Sequence, residues 1–261
     1  MSSRIANGTR VVNGEGRGGG DFGEGTCILV TGGAGFIGSI VTLELLVKGL
    51  QVVVVDNCSN SYIAKGAEKP ESLIRVEKLA NGKTGKKKEV TFYLMDILEK
   101  DKLLTIFQEH NFFCVMHLAG LKSVGESVKY PLKYYEVNMG IATNLLRCMD
   151  QTGVTNFVFA SSSTVYGPVP CEQLPITEEQ PTGNCTCAYG RTKYFIEEML
   201  KDCCRANPAA YDIVYGPVPC EQLPITEEQP TGNCTCAYGR TKYFIEEMLK
   251  DCCRANPVSR V

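Results

Sequence analysis

Thr26-Cys27-Ile28-Leu29-Val30-Thr31-Gly32-Gly33-Ala34-Gly35-Phe36-Ile37-Gly38 is the stretch on which the fold turns. Its short, continuous apolar run predicts a strand buried on both faces. Glycines at 32, 35 and 38 then allow a tight turn, close approach of the backbone to a pyrophosphate, and close packing of a helix on the strand. The helix predicted over Ile37 to Val47 would present free N–H groups and a positive dipole end to those phosphates. Gln51-Val52-Val53-Val54-Val55-Asp56 follows as a second fully apolar strand. It ends in an acid eighteen residues after Gly38, placed to accept hydrogen bonds from a ribose diol. A glycine triad alone is weak evidence; with a strand before it, a helix after it and Asp56 at this distance it is specific for a dinucleotide. The acid favours NAD over NADP, because a 2′-phosphate would be repelled.

The alternation continues outward. Val90 to Met95 reads as a strand, Ile97 to Glu109 as a helix, Phe113 to Leu118 as a strand, Tyr134 to Asp150 as a long helix and Asn156 to Ser161 as a strand. Together these predict an α/β fold, a doubly wound parallel sheet of Rossmann type. The run Lys83-Thr84-Gly85-Lys86-Lys87-Lys88 reads as a solvated loop.

A second constellation lies downstream. Ser162 follows the fifth strand, and Tyr189-Gly190-Arg191-Thr192-Lys193 opens a helix. Tyr and Lys four apart share a helical face. An ammonium beside a phenol favours the phenolate, and a serine hydroxyl can bridge it to a substrate oxygen. The three groups suit proton transfer coupled to hydride transfer.

Composition bounds the rest. The 261 residues carry 27 basic and 29 acidic side chains, 44% hydrophobic residues and a net charge of −2, giving no electrostatic reason to expect nucleic acid or an anionic membrane as partner. No apolar run reaches the ~20 residues of a membrane span. Met1 to Gly25 is polar and glycine-rich without a secretory core, so residues 1–25 read as a flexible extension and the expected compartment is the cytoplasm.

Fourteen cysteines suggest a disulfide scaffold until the repeat is seen. Val165 to Pro208 recurs letter for letter as Val214 to Pro257, and each copy holds five of the cysteines. The nine that remain without one copy are ordinary for cytosolic thiols. No metal site is expected, since paired C-x-x-C knuckles are absent and the only histidines are His110 and His117. Two undiverged units read as a tandem duplication rather than a solenoid. The organisation expected is therefore an extension over 1–25, a dinucleotide-binding unit with its Tyr/Lys helix over 26–208, and a duplicated, poorly specified segment over 209–261.

The segments Gly32 to Gly38, Ser162 and Tyr189/Lys193 resemble the extended short-chain dehydrogenase/reductase superfamily. Longer stretches narrow this: Val55-Asp56-Asn57, Pro70 to Val76, Met95-Asp96-Ile97-Leu98, His117 to Val128, and Lys193 to Met199. They resemble the UDP-glucose 4-epimerase family from about Thr26 to Pro208. The resemblance implies cofactor contacts at Gly35, Phe36, Ile37, Asp56, Asn57, Asn60, Asp96, Ile97 and Lys122, with Asp96 at the adenine. Ser162, Ser163 and Thr164 would face the sugar. It further implies that Tyr189 takes the proton of the sugar 4-hydroxyl while C4 gives hydride to NAD. The 4-keto sugar then turns over and hydride returns to its other face. Lys193 would tune Tyr189, and Ser162 would orient the 4-oxygen. A UDP-sugar substrate and a homodimer, paired through helices near 134–150 and 189–203, belong to the same implication.

Three departures leave these groups in place: Ser163 stands where the family has alanine, Ala188 where it has proline, and Ile40 where it has histidine. The larger departure is that the chain repeats itself where the family continues into a lobe gripping the uridine nucleotide. Little activity is expected from the chain as written, because remote contacts drive catalysis. The second copy repeats the pair as Tyr238 and Lys242. Loop-closure entropy disfavours that copy by only ~0.9 kcal/mol; Tyr189 and Lys193 are the expected pair, with the second copy packed poorly or occupying the place of the strand with which the family continues. Related dehydratases and decarboxylases would need a further acid or base where Ser163-Thr164 stands. A catalytically silent NAD-binding protein is the alternative from another class.

Overall fold

The computed structural model describes residues 25–170, 176, 180–207 and 211–215. The elements in chain order are β1 (Cys27–Thr31), α1 (Phe36–Val47), β2 (Gln51–Asp56), α2 (Glu71–Thr84), β3 (Val90–Leu94), α3 (Lys100–Glu109), β4 (Phe112–His117), α4 (Val124–Lys129), α5 (Pro131–Tyr134), α6 (Gly140–Thr152) and β5 (Asn156–Phe159), of which the five strands and α1, α3 and α6 follow the sequence pattern. Then come α7 (Ala188–Ala206) and β6 (Asp212–Tyr215). The strands form one sheet in the order β3-β2-β1-β4-β5-β6, with every neighbouring pair parallel. This is the doubly wound Rossmann arrangement, with the order reversing between β1 and β4.

The uniformly apolar strands are explained by two cores. Leu29, Val53 and Val55 pack with Leu103, Leu145, Phe157 and Leu200 on one face of the sheet. Ile28, Val30, Val52 and Val54 pack with Val41, Leu46, Leu73 and Ala80 on the other. Alternate residues of β1 and β2 thus enter opposite cores, so neither strand has a polar face to show.

The short helices α4 and α5 stand outside the sequence pattern, and two larger differences have physical reasons. Helix α2 was not anticipated, although Glu71 stands in its first turn and Gly85 closes it with φ +65. The basic run therefore divides: Lys83 and Thr84 end the helix, and the residues after Gly85 form the loop. The long helix expected over 134–150 is interrupted by a π-helical turn at Tyr135–Met139. Its cause is Asn138, a buried amide at the turn that faces out of the helix. Its Oδ1 accepts from the Leu121 N–H at 2.8 Å, and its Nδ2 donates to the Leu121 carbonyl at 3.0 Å and to Thr192 Oγ1 at 3.1 Å. Satisfying three partners outside the helix displaces the local ladder.

Strand β6 takes the place of the family's next strand, one of the two outcomes expected for the second copy. Its residues 212–215 pair in register with Asn156 to Phe159 of β5. The last two, Val214 and Tyr215, are the first two of the second copy. Residues 1–24 of the expected extension, and Tyr238 and Lys242 of that copy, lie outside the described residues. Among those residues, no helix is long and apolar enough to cross a membrane.

Candidate functional site

Both sequence constellations lie at the carboxyl ends of the parallel strands, where crevices form in this topology. The turn after β1 is fixed by backbone contacts. Gly32 has φ +70 and its N–H donates to Val55 O at 2.9 Å; a Cβ there would stand 2.7 Å from Ala119 N. Gly38 is tighter still, for a Cβ would meet Gly32 O at 2.0 Å. The hydroxyls of Ser61 and Ser72 donate to Ala34 O at 3.0 and 2.8 Å and hold the turn from the β2 side. Gly35 is the N-cap of α1 and brings no side-chain acceptor to its first N–H groups. A helix end without a cap, reached through glycines, suits an anion.

Asp56 ends β2 as expected. Its Oδ2 accepts from the Ala34 N–H at 3.0 Å and its Oδ1 from the Cys58 N–H at 2.8 Å. Each oxygen keeps lone-pair capacity for a ribose hydroxyl. Asn57 Nδ2 donates to Asp96 Oδ2 at 3.1 Å, and Asp96 Oδ1 accepts from the Leu98 N–H at 2.9 Å. Those contacts bring the β2 and β3 ends together beside the turn. Phe36 is exposed, as are Asn57, Asn60 and Lys122, while the Ile97 side chain is buried in the core. Ile97 can therefore offer a ligand only its backbone.

The second constellation stands across β4 and β5. Ser162 caps a 3-10 turn at Ser163–Val165, its Oγ accepting from the Thr164 N–H at 3.3 Å and from Thr164 Oγ1 at 3.0 Å. Ser163 is exposed, whereas Ser162, Thr164 and Tyr189 are half-buried. Tyr189 lies in the first turn of α7, whose N-cap is Cys187. Lys193, one turn on, is buried to 6% exposure, and its Nζ donates to Ala160 O at 2.8 Å while lying 4.6 Å from the centre of the Phe159 ring. Burial pushes this ammonium down to about 8, opposed by the Glu197 carboxylate.

Two buried groups beside this set were not singled out from sequence. His117, at the end of β4, is 1% exposed, and burial aided by the Lys193 charge pushes it down to about 3. The neutral ring accepts at Nδ1 from the Thr31 hydroxyl at 2.8 Å, which itself accepts from the Leu118 and Ala119 N–H groups at 3.2 and 3.3 Å. Glu197 is 5% exposed, accepts from the Ser161 hydroxyl, and is raised by burial. The available signal was spacing: Tyr189, Lys193 and Glu197 recur every four residues on one helical face.

Comparison with known proteins matches residues 28–214 to the NAD dependent epimerase/dehydratase family. UDP-glucose 4-epimerase of Drosophila melanogaster is 50% identical over 180 residues, which are 69% of this chain and 49% of that protein. The Homo sapiens enzyme is 49% identical over 180 residues, with the same coverage. Among solved structures, UDP-glucose 4-epimerase from Bifidobacterium longum, in complex with NAD+ and UDP, is 42% identical with a TM-score of 0.63. That match covers 72% of this chain and 51% of the other. The Thermus thermophilus enzyme in complex with NAD is 30% identical, with a TM-score of 0.58 over 87% of this chain and 63% of that one. The chain spans about half the length of the curated relatives it matches.

Proposed function

Because this chain belongs to the NAD dependent epimerase/dehydratase family and is a homologue of UDP-glucose 4-epimerases, we propose that it holds NAD at the 32–38 turn and carries the proton-transfer set for interconverting UDP-glucose and UDP-galactose at sugar C4. The chemistry that NAD supplies when bound is reversible acceptance of hydride. The uncapped first turn of α1 receives its phosphates, Asp56 a ribose diol, and Asp96 with the Ile97 backbone its adenine. Asn57 and Asn60 line that end, and Lys122 lies on the phosphate–ribose side.

Tyr189 takes the proton of the 4-hydroxyl and later returns it. Lys193, held in place by Ala160, stabilises the phenolate at the moment of transfer. Ser162 orients the 4-oxygen, with Ser163 and Thr164 alongside. The observation that carries this reading is the 2.8 Å bond from Lys193 Nζ to Ala160 O, because it ties the Tyr/Lys helix to the strand end bearing Ser162. A homodimer through α6 and α7 is part of the proposal. It is supported by Phe195, 43% exposed on α7 and 6.3 Å from the Tyr135 ring.

The test is titration of the purified chain with NADH, followed by emission, and then with UDP by calorimetry. Binding of both supports the reading, and Tyr189→Phe should then slow reduction of NAD by UDP-galactose by ~10²-fold or more. Failure to bind NADH refutes the cofactor assignment. Binding of NADH without UDP leaves an NAD-binding protein and refutes the epimerase assignment. Light scattering of the same sample decides the dimer.

A further inference from the structure

Glu197 is an expensive residue at its position. It is 5% exposed on the inner face of α7, beside the buried apolar residues Ile196 and Leu200. A carboxylate placed there is favoured only if something nearby needs its charge, since an apolar side chain of similar volume packs at no desolvation cost. Its hydrogen bond goes to the Ser161 hydroxyl, not to Lys193. Lys193, one turn before, bonds instead to Ala160 O. Helix α7 therefore grips two successive residues of the strand end, 160 through the lysine and 161 through the glutamate. Ser162 is the next residue along.

The charges around this pair are few. Lys193 sits in the field of Glu197, and its own charge bears on the buried His117 ring. Glu197 is faced by Lys193, Lys201, Glu198 and the Cys185 thiol. Lys201 is engaged at 2.6 Å with Glu198, so the carboxyl that acts on the buried ammonium is that of Glu197, one helical turn on and buried like it. We infer that Glu197 is a positioning residue of the proposed site: tied to Ser161, it supplies the negative charge that favours the ammonium form of the buried Lys193, one turn after Tyr189, and it fixes the strand end from which Ser162 projects. This rests on the proposed function, in which Lys193 acts as an ammonium.

The test follows the Lys193 side chain by carbon NMR in chains labelled at the lysine ε-carbon, the resonance being assigned with Lys193→Arg. The titration midpoint of Lys193 is expected to fall in Glu197→Gln, which keeps the shape and an acceptor for Ser161 but loses the charge. In Ser161→Ala, which keeps the charge, the midpoint should stay nearer that of the unaltered chain. An equal or higher midpoint in Glu197→Gln overturns the inference.

Should Glu197→Gln not fold, the unaltered chain answers the question. The Lys193 resonance must show a second inflection at the pH where the Glu197 carboxyl titrates, and its absence overturns the inference equally. NADH binding is measured on the same samples. Loss of NADH binding by the unaltered chain refutes the proposed function while leaving the titrations decisive for Glu197. An unmoved midpoint in a chain that binds NADH refutes Glu197 alone.

Discussion

Replacing Gly38 with alanine probes the turn at its tightest point. The added Cβ would lie 2.0 Å from Gly32 O and 2.6 Å from Gly33 Cα. Ordinary contact needs roughly 3.4 Å, so α1 and the turn must separate by more than ~1 Å. The turn has nowhere to retreat. Gly32 is held by Val55 O in front and backed by Ala119, and Gly33 lies against Val54, where its own added Cβ would fall 2.6 Å from Cγ1.

The helix must therefore move, taking Val41, Leu43 and Leu46 out of register with β1 and β2. Overpacking of this kind costs ~1–3 kcal/mol, and two backbone clashes place Gly38→Ala at or above ~3 kcal/mol, a large part of a total stability of ~5–15 kcal/mol. Gly35→Ala is the control. Its Cβ would lie 3.2 Å from Gly32 O, a misfit of a few tenths of an ångström, for which a cost below ~1 kcal/mol is expected.

Urea unfolding followed by circular dichroism gives both values. NADH titration adds the reverse ordering, since Gly35 caps the helix end assigned to the phosphates and its substitution should weaken binding out of proportion to its effect on stability. Gly38→Ala within ~0.5 kcal/mol of the unaltered chain, or no more destabilising than Gly35→Ala, would refute the packing argument.

Three further outcomes are expected. His117 is depressed from 6.5 to about 3, so the unfolded chain binds its proton first as the pH falls; stability should decline from pH 6.5 toward 3, and His117→Asn should flatten the slope by up to ~1.4 kcal/mol per pH unit, read by denaturant titration across that window. Lys193 is depressed from 10.5 to about 8, so the folded chain loses its proton before the unfolded one and should gain stability as pH rises between those values; Lys193→Met should lose that rise in the same measurement at pH 7.5 to 10.5. Asp56→Asn removes the charge while retaining an acceptor for one of its two backbone donors. NADH affinity should fall about tenfold and the preference over NADPH should narrow, measured by paired fluorescence titrations.

The parallel sheet was legible because β1 and β2 are short apolar runs that enter two cores, and because Gly32, Gly38 and Asp56 stand at the spacings of a glycine turn between strand and helix. Helix α2 escaped because its signal is carried by its ends, Glu71 and Gly85, rather than by a strong apolar stripe; of its fourteen residues only Leu73, Val76 and Ala80 are buried. The π-helical turn could not be read from the letters, since Asn138 is satisfied by Leu121 and Thr192, distant in sequence. In the candidate site, Tyr189 and Lys193 were visible as a spaced pair. His117 and Glu197 were not, because their meaning depends on burial: an exposed histidine or glutamate has the same letter.

Val-Tyr stands at 165–166 and again at 214–215, followed each time by Gly-Pro. At the first position valine closes a 3-10 turn and both side chains are buried. At the second the same dipeptide is extended, paired with Val158 and Phe159 at the edge of the sheet. Any rule that reads only the letters downstream must give the two occurrences one conformation, and is wrong at one of them. What precedes decides: a serine cap in one case, and in the other Tyr-Asp-Ile arriving beside an open strand. In its first two residues, then, the repeated sequence does not repeat its shape, and they take the structure that the neighbouring backbone offers.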